Sequence, residues 1–456
     1  MTFVPKTPIA DILADLETGK VSAHALLEAA LERASDPAGE GRRVFLRSMA
    51  DTARVEAEAS DRLRTAGIAP RPLEGLPISI KDLFDVKGQV TTAGSKVLAG
   101  EPPAQADAPV IARLRAAGAV LVGRTNMTEF AYSGLGINPH FDTPANPWDR
   151  AARRIPGGSS SGAAVSVTDG MALVGLGTDT GGSVRIPSGL CGLAGFKPTQ
   201  RRVPIDGAVA LATSLDSIGP LAPTIDCCAR VHHVLAGEPA RPVTPRPIAG
   251  LRFLVPETIA LDSLDADTER AFEAALNRLS EAGAHIVQRP MPELLAIPEA
   301  NAKGGFAAVE CYAIHRRHVE GNPAAFDPRV LSRIRRADEQ SGSDYVTLVA
   351  RRAEVQASCH AITRMYDAVL MPTTARVAPT IAELEATDEA YGAANLLMLR
   401  NCSIGNFLDR CAATVPVHAP DDPPVGLMIM GEAMADDAVL DIAAGVESLF
   451  RAAWAE

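Results

Sequence analysis

Two stretches rich in serine and glycine could carry nucleophilic chemistry. The first, GGSSSGAA, covers residues 157–164, and the second, TDTGGSVR, covers residues 178–185. Glycine and serine at this density are typical of flexible linkers. Both stretches, however, lie within apolar sequence and lead into alanine or valine. We therefore interpret them as walls of a site, where glycine allows one backbone segment to approach another closely.

The second stretch has the setting that a serine nucleophile needs. Residues 171–176 predict a strand, the chain then turns sharply, and residues 184–190 predict a short helix. The small Gly181 and Gly182 would let consecutive backbone N–H groups converge beside Ser183. Converging donors of this kind stabilise the oxyanion of a tetrahedral intermediate. Ser183 is the predicted nucleophile, and the predicted oxyanion hole comprises Thr180, Gly181, Gly182 and Ser183.

The first stretch also matches a known nucleophile pattern, G-x-S-x-G, through Gly158, Ser160 and Gly162. This nucleophile elbow requires a strand directly before it. Residues 146–158 are instead polar, charged and interrupted by prolines, which disfavours Ser160 as the nucleophile. Phosphate binding is set aside because the sequence lacks G-x-x-x-x-G-K-[ST] and lacks a G-x-G-x-x-G that follows a strand.

A serine nucleophile needs a base that accepts its proton. Histidine is the usual base, but His140 is the only histidine between residues 25 and 231, and it lies in a sequence typical of a surface loop. The alternative is Lys81, in the apolar strand ISIKDLF, where burial would lower the pKa and favour the neutral amine. A lysine whose alkyl chain reaches solvent is the competing interpretation. The hydroxyls of residues 159–161 favour the base, because they could relay a proton between Lys81 and Ser183.

The elements around these residues alternate between strand and helix patterns. Residues 8–36 predict two helices, residues 51–67 a third helix, and residues 76–86 a buried strand. A helix followed by a strand is predicted for residues 107–126, and a late buried strand for residues 366–374. This alternation predicts an α/β fold with a mixed β-sheet core surrounded by α-helices.

Composition restricts the partners. The chain has 456 residues with 44 basic and 55 acidic side chains, a net charge of −11, which argues against nucleic acid and anionic membranes. Acidic residues stand where a signal peptide would be apolar, so we expect a cytoplasmic protein.

The seven cysteines lack framework spacing, which favours reduced thiols. In HRRHVE, residues 315–320, arginines separate two histidines, so we expect an exposed basic face, no metal and no cofactor.

Several motifs, in order, resemble the amidase signature family. PGGSSSGAA is followed by GLGTDTGGSVRIPSGLCGLAGFKPT, and both are preceded by GLPISIKDLFDVKG and DAPVIARLRAAGAVLVGRTNMTEFAYSG. The match is dense from about Gly75 to Asp216. The resemblance implies a single α/β domain with a mixed sheet. It also implies a Ser–cisSer–Lys triad that cleaves C–N bonds through an acyl-enzyme.

The resemblance gives each triad role to one residue of this chain. It implies Ser183 as the nucleophile, Lys81 as the base and Ser159 as the bridging serine, which follows a cis peptide bond. It also implies three supporting residues: Ser160 as a hydrogen-bond partner of the lysine, and Asp179 and Arg185 as supports of the oxyanion loop.

We expect one amidase signature domain over residues 1–456, divided into four parts. The expected parts are N-terminal helices at 1–70, the signature core at 71–230, a proline-rich linker at 231–250, and a C-terminal α/β part at 251–456. That last part is expected to complete the sheet and the substrate pocket.

The substrate is less defined than the chemistry. Small amides are expected first, with esters and aryl carbamates (urethanes) as relatives that share the acyl-transfer intermediate. EFAYSGLGINPH resembles a loop of amidases acting on aryl and alkyl amides, so Tyr132 is predicted to face the substrate; a packed core tyrosine is the alternative. Further predicted pocket residues are Gly158, Asn401, Phe407 and Leu408.

The alternative function is the glutaminase component of a tRNA-dependent amidotransferase. Such components commonly carry a glutamine where this chain has Ile186, and they need partner subunits. We expect instead a monomer or homodimer that acts on a small molecule.

Overall fold

Eleven strands form the central sheet of the computed structural model, which describes residues 4–68 and 70–454. The strands are β1 Phe45–Ser48, β2 Pro77–Lys81, β3 Val120–Thr125, β4 Val174–Asp179, β5 Ala194–Lys197, β6 Ser217–Ala222, β7 Arg252–Pro256, β8 His285–Arg289, β9 Ala368–Pro372, β10 Ala412–Pro416 and β11 Gly426–Met430. They lie in the order β1-β3-β2-β4-β6-β5-β10-β11-β9-β7-β8. β2 pairs in parallel with β3 and β4, whereas β6, β5, β10 and β11 are joined by antiparallel pairs, so the sheet is mixed.

Helices surround this sheet. They are α1 Ile9–Glu17, α2 Ala23–Ser35, α3 Gly41–Val44, α4 Ala50–Thr65, α5 Pro109–Ala116, α6 Ser161–Thr168, α7 Arg185–Leu190, α8 Ile225–Ala236, α9 Ala266–Glu281, α10 Ala296–Ala300, α11 Gly305–Gly321, α12 Pro328–Arg335, α13 Gly342–Thr363, α14 Ile381–Glu385, α15 Asp388–Phe407 and α16 Asp436–Trp454. The predicted fold class, a mixed sheet core surrounded by helices, is confirmed. Within the described part of the chain, no helix is long and apolar enough to span a membrane.

Three boundaries differ from the sequence-based predictions. Only helices are predicted for residues 1–70, yet β1 lies there and pairs antiparallel with β3; its four residues are too few to give a periodic signal. β4 continues to Asp179, so the sharp turn begins after Asp179 rather than at Thr178. The predicted linker begins inside α8, which ends at Ala236. Residues 1–3, 69 and 455–456 of the predicted ranges lie outside the described residues.

Strands from both sides of the proline-rich segment belong to one sheet. β5 and β10 pair antiparallel, with Lys197 opposite Ala412, and this pair joins strands of the signature core to strands of the C-terminal part. Both of these strands contribute apolar, fully buried residues to the core, such as Phe196 of β5 and Val415 of β10. The sheet therefore holds residues from distant parts of the sequence in fixed relative positions.

The parallel neighbours β2 and β4 bring the two predicted motifs to one sheet edge. Ile78 lies opposite Val174 and Ile80 opposite Leu176, so the two strands end side by side. The carboxyl edge of parallel strands is where side chains commonly form sites. Lys81 ends β2, and Asp179 ends β4.

Helix α6 lies directly on β4 because glycine leaves room for it. A Cβ atom at Gly175 would lie 2.7 Å from the Ala163 carbonyl oxygen, and one at Gly177 would lie 2.7 Å from Ser160 Oγ. This close packing sets the position of the serine-rich loop that precedes α6.

We predict that Gly175→Ala reduces the free energy of unfolding by about 1–3 kcal/mol, because the added methyl group overpacks the α6–β4 contact. The matched control is Gly100→Ala, where nothing lies within 4 Å of the added atom. Thermal melts of both variants check this. Equal melting temperatures would contradict the described contact.

Candidate active site

The Lys81 side chain is fully buried at the end of β2. Its Nζ donates hydrogen bonds to Ser159 Oγ at 2.7 Å and to Thr178 Oγ1 at 2.9 Å. Burial lowers the pKa of Lys81 from 10.5 to about 7, because desolvation penalises the ammonium more than the charges of Asp216 and Asp179 favour it. A large fraction of the amine is therefore neutral at pH 7 and able to accept a proton.

Ser159 lies on the loop before α6 and is also fully buried. The Gly158–Ser159 peptide bond is cis, as the resemblance implies. The Ser159 carbonyl oxygen accepts a hydrogen bond from the Thr128 N–H at 3.1 Å, which ties the loop to the segment after β3. Hydrogen bonds to both its side chain and its backbone thus hold Ser159 beside the lysine.

Gly158 does not line the cavity, which differs from its predicted role as a pocket residue. Its N–H donates to the Gly134 carbonyl oxygen at 2.8 Å. A Cβ atom at this position would lie 2.4 Å from the Gly136 nitrogen. Gly158 instead allows two backbone segments to pack against each other beside Ser159.

Ser160 is not the second partner of the lysine, contrary to the prediction. Its hydroxyl donates to the Thr178 carbonyl oxygen at 3.4 Å, and the Thr178 hydroxyl occupies the predicted place beside Lys81. Thr178 lies near the carboxyl end of β4, next to β2. Thr178 follows the strand predicted for residues 171–176, but the pairing of that strand with the lysine strand is visible only in the structure.

Ser183 lies in the turn between β4 and α7. It is almost completely buried, and together with Thr180 and Gly181 it lines the cavity described below. The Gly182 N–H, however, donates to Asp179 Oδ1 at 2.9 Å, so this donor of the predicted oxyanion hole is already engaged in holding the turn. The oxyanion role stays a prediction for Thr180, Gly181 and Ser183.

Asp179 and Arg185 form a fully buried ion pair that organises this turn. The Asp179 carboxylate accepts bonds from Arg185 Nε at 3.0 Å and Nη2 at 2.9 Å, and from the Val184 N–H at 3.2 Å. Burial alone would raise the pKa of Asp179, but the Arg185 guanidinium holds it well below its usual range. Both residues therefore support the loop that carries Ser183.

Asn406 is a partner of this ion pair that the sequence did not indicate. Its Nδ2 donates to Asp179 Oδ1 at 2.9 Å, and its Oδ1 accepts from Arg185 Nη2 at 2.6 Å. Asn406 belongs to α15, which is 227 residues away from Asp179 along the chain. It also lines the cavity, so the C-terminal part contributes directly to the site.

A cavity of about 850 Å³ opens beside Ser183. This volume is in the range of sites for small organic ligands. Tyr132 and Phe407 line it as predicted, whereas Leu408 and Asn401 do not. The Asn401 amide instead donates to the carbonyl oxygens of Ala260 and Pro372, a structural role.

The histidines considered as a base or as metal ligands have other partners. His140 Nε2 lies 2.9 Å from Glu129 Oε1. His315 is mostly buried rather than on an exposed face, and its Nε2 lies 2.9 Å from the Ala210 carbonyl oxygen, while His318 faces Glu101. Over residues 4–68 and 70–454, no group of three or more His, Cys, Asp or Glu side chains is arranged to hold a metal ion.

Comparison with known proteins places this chain in a family. The amidase family model matches residues 25–440. The chain is 39% identical over 403 residues to the 2-amino-5-chloromuconic acid deaminase of Comamonas testosteroni, with 87% of this chain and 86% of that protein covered. It is 34% identical to a glutamyl-tRNA(Gln) amidotransferase subunit of Chloroflexus aggregans, with 93% and 92% covered.

Solved structures agree with this result. A crystal structure of an amidase superposes with a TM-score of 0.87 at 32% identity, covering 97% of this chain and all (100%) of that one. The native peptide amidase from Stenotrophomonas maltophilia superposes with a TM-score of 0.82 at 27% identity, covering 98% and 97%. The chain belongs to the amidase signature family, which confirms the resemblance, and it is a hydrolase of that family.

We predict that Lys81→Met stabilises the protein, and most strongly at and below pH 7. The unfolded lysine holds its proton up to about pH 10.5, whereas the folded site disfavours the ammonium, at about 1.4 kcal/mol for each unit of pKa difference. The destabilisation caused by burying the Lys81 ammonium is therefore largest below pH 7, and it disappears as the pH rises to 10.5. Melting temperatures measured from pH 6 to pH 10 check this.

The matched control is Lys87→Met, since Lys87 is exposed. Its effect should not change across this pH range. A gain from Lys81→Met that is equally independent of pH would contradict the burial of an ionisable amine.

Proposed function

We propose that this protein cleaves C–N bonds of small amides through an acyl-enzyme on Ser183, with esters and aryl carbamates as further substrates. The observation that carries the proposal is the buried Lys81 amine, which lies 2.7 Å from Ser159 Oγ and has a pKa of about 7. An amine with this pKa can take a proton at neutral pH and return it in a later step. The cavity beside Ser183 supplies space for the substrate.

The first half of the reaction forms the acyl-enzyme. Ser183 Oγ attacks the amide carbonyl carbon and passes its proton to Ser159, while Ser159 passes its own proton to neutral Lys81. The carbonyl oxygen becomes an oxyanion, for which backbone N–H groups of residues 180, 181 and 183 are the proposed donors. Protonated Lys81 then returns the proton through Ser159 to the nitrogen. The C–N bond breaks, and ammonia or an amine leaves.

The second half hydrolyses the acyl-enzyme. A water molecule attacks the ester carbon and gives one proton to Lys81 through Ser159. The bond to Ser183 Oγ breaks, and Ser183 recovers its proton by the same route. One water is consumed for each C–N bond, and the carboxylic acid is released.

The names of similar proteins support C–N chemistry. They are a deaminase, one component of an amidotransferase and a peptide amidase. The amidotransferase relatives also favour the second candidate function, since several are 33–34% identical over more than nine-tenths of this chain. The family resemblance implies glutamine at this position in amidotransferase components, so Ile186 argues for an amidase that acts without partner subunits.

Acyl transfer to hydroxylamine by the purified chain alone tests the proposed function. We expect hydroxamates from simple amides or p-nitroanilides, and none from a Ser183→Ala variant. Glutamine hydrolysis that appears only after amidotransferase partner subunits are added would support the second candidate. The absence of product from amides, carbamates and esters would contradict the proposal.

Lys81→Ala should lower kcat for amides by at least about 10²–10⁴-fold, because the base and the activation of Ser183 are both lost. Ester hydrolysis should fall less, since an alkoxide leaves with less help from a proton donor. Ser159→Ala should show an intermediate loss, and the double variant should not show the sum of both, because the residues act as one unit. Lys87→Ala is the matched control. Near-normal amide hydrolysis by folded Lys81→Ala would exclude the triad.

Activity should rise with pH through a midpoint near 7 and stay high on the alkaline side, because Lys81 must lose its proton to act as the base. The measurement is kcat/KM for one amide from pH 5 to pH 10. The rise should persist in His140→Gln and disappear from the residual activity of Lys81→Ala. A rise that vanishes in His140→Gln would assign the base to the histidine.

A further inference from the structure

One face of α12 and of the turn after it presents arginines to the cavity. Arg329, Arg333 and Arg336 are spaced so that they share this face, and all three line the cavity. Arg400 of α15 lines it as well, and Asp388 is the one acidic residue among the described lining residues. The whole chain carries a net charge of −11, so this wall is cationic on an acidic protein. A cleft lined by charges of one sign concentrates ligands of the opposite sign.

Most of these arginines already have partners. Arg329 Nε donates to Asp388 Oδ1 at 2.7 Å. Arg400 Nε donates to Asn401 Oδ1 at 3.0 Å, and its Nη atoms donate to two backbone carbonyl oxygens. Arg336 Nη2 lies 3.6 Å from Glu339 Oε2 and also donates to a backbone carbonyl oxygen. Their charges are therefore neutralised or directed toward the protein.

Among the described residues, Arg333 lacks the carboxylate partner that Arg329 and Arg336 have, and it donates one hydrogen bond where Arg400 donates three. Arg333 Nη1 donates to the Tyr132 carbonyl oxygen at 2.5 Å, and its guanidinium carbon lies 4.5 Å from the centre of the Tyr132 ring. Over the described residues, no carboxylate lies within 4.0 Å of it. The guanidinium is thus oriented by Tyr132, half-buried at the cavity, and without a counter-ion from the protein.

We propose that Arg333 binds a carboxylate of the substrate, so that the preferred substrates are amides that also carry an ionised carboxyl group. This inference rests on the proposed function, because Arg333 and Ser183 line the same cavity. A guanidinium presents paired N–H donors that match the two oxygens of a carboxylate. Stacking on Tyr132 limits the orientations of the side chain, which reduces the entropy lost on binding. Arg333 is a specificity residue in this account, and Tyr132 positions it.

The test compares three pairs of amides of equal length: succinamate with butanamide, glutaramate with pentanamide, and adipamate with hexanamide. Each pair differs by a carboxylate in place of a methyl group. The measured quantity is the ratio of kcat/KM within a pair. A charge-assisted hydrogen bond corresponds to about 10- to 100-fold, so we expect that preference for the acid in at least one pair of the wild-type protein.

Arg333→Gln should reduce this ratio about 10- to 100-fold, and Arg333→Lys should keep part of it. Arg335→Gln is the matched control, because Arg335 is exposed on the same helix and does not line the cavity. Its ratio should equal that of the wild type. An unchanged ratio in Arg333→Gln, including an equal loss for acid and neutral amides, would overturn the inference and leave Arg333 with a structural role.

Failure of this inference can be distinguished from failure of the proposed function. Wild-type turnover of neutral amides at rates equal to or above those of all three acids would overturn the carboxylate site while the amidase function stands. If no amide is hydrolysed, calorimetric binding of the same six compounds decides. Tighter binding of an acid that Arg333→Gln abolishes supports the site, and equal binding of acid and neutral members overturns it.

Discussion

Burial of the Lys81 amine is the constraint on which the rest of the site depends. The side chain is fully buried, and its two hydrogen-bond partners are neutral hydroxyls, those of Ser159 and Thr178. A carboxylate in direct contact would hold the proton on the amine. The nearby Asp216 carboxyl is instead occupied by the Thr180 hydroxyl and by the backbone N–H groups of Leu211 and Ala212. Burial raises the pKa of Asp216 to about 6, and its charge offsets only part of the lowering that burial imposes on the pKa of Lys81.

The charged pair of Asp179 and Arg185 has the opposite character. Both groups keep their charges in a fully buried setting because hydrogen bonds satisfy them on several sides. Removing one member of such a pair typically costs about 3–5 kcal/mol, since the other charge is left without a partner. The pair therefore fixes the turn that carries Ser183, while the neutral contacts of Lys81 leave that residue free to exchange a proton.

The local part of this site could be predicted from the sequence, because strand, turn and helix signals surround each motif. Lys81 and Ser159 are in contact as the predicted relay requires, and Ser183 lies at the predicted turn. The role that the resemblance implies for Ser160 is wrong here, because its hydroxyl is directed to the Thr178 carbonyl oxygen and not to Lys81. Thr178, which takes its place, depends on the pairing of β2 with β4.

The residues that define the pocket are positioned by contacts between residues far apart in the sequence. Asn406 reaches Asp179 across 227 residues, and Arg333 reaches Tyr132 across 201 residues. Helix periodicity indicates which positions of α12 share a face, but it does not indicate what that face covers. Tyr132 satisfies both interpretations of the sequence, since it is buried and also lines the cavity.

The most direct test of this account is the pKa of Lys81 itself. Nitrogen NMR of protein labelled with 15N-lysine can follow the titration of each Nζ, with the Lys81 signal assigned by its absence in Lys81→Met. This assignment also separates it from Lys197, another buried lysine, whose pKa burial lowers to about 8. The account predicts that Lys81 loses its proton with a midpoint near pH 7. An ammonium at Lys81 that persists above about pH 9, toward the ordinary lysine value, would contradict it.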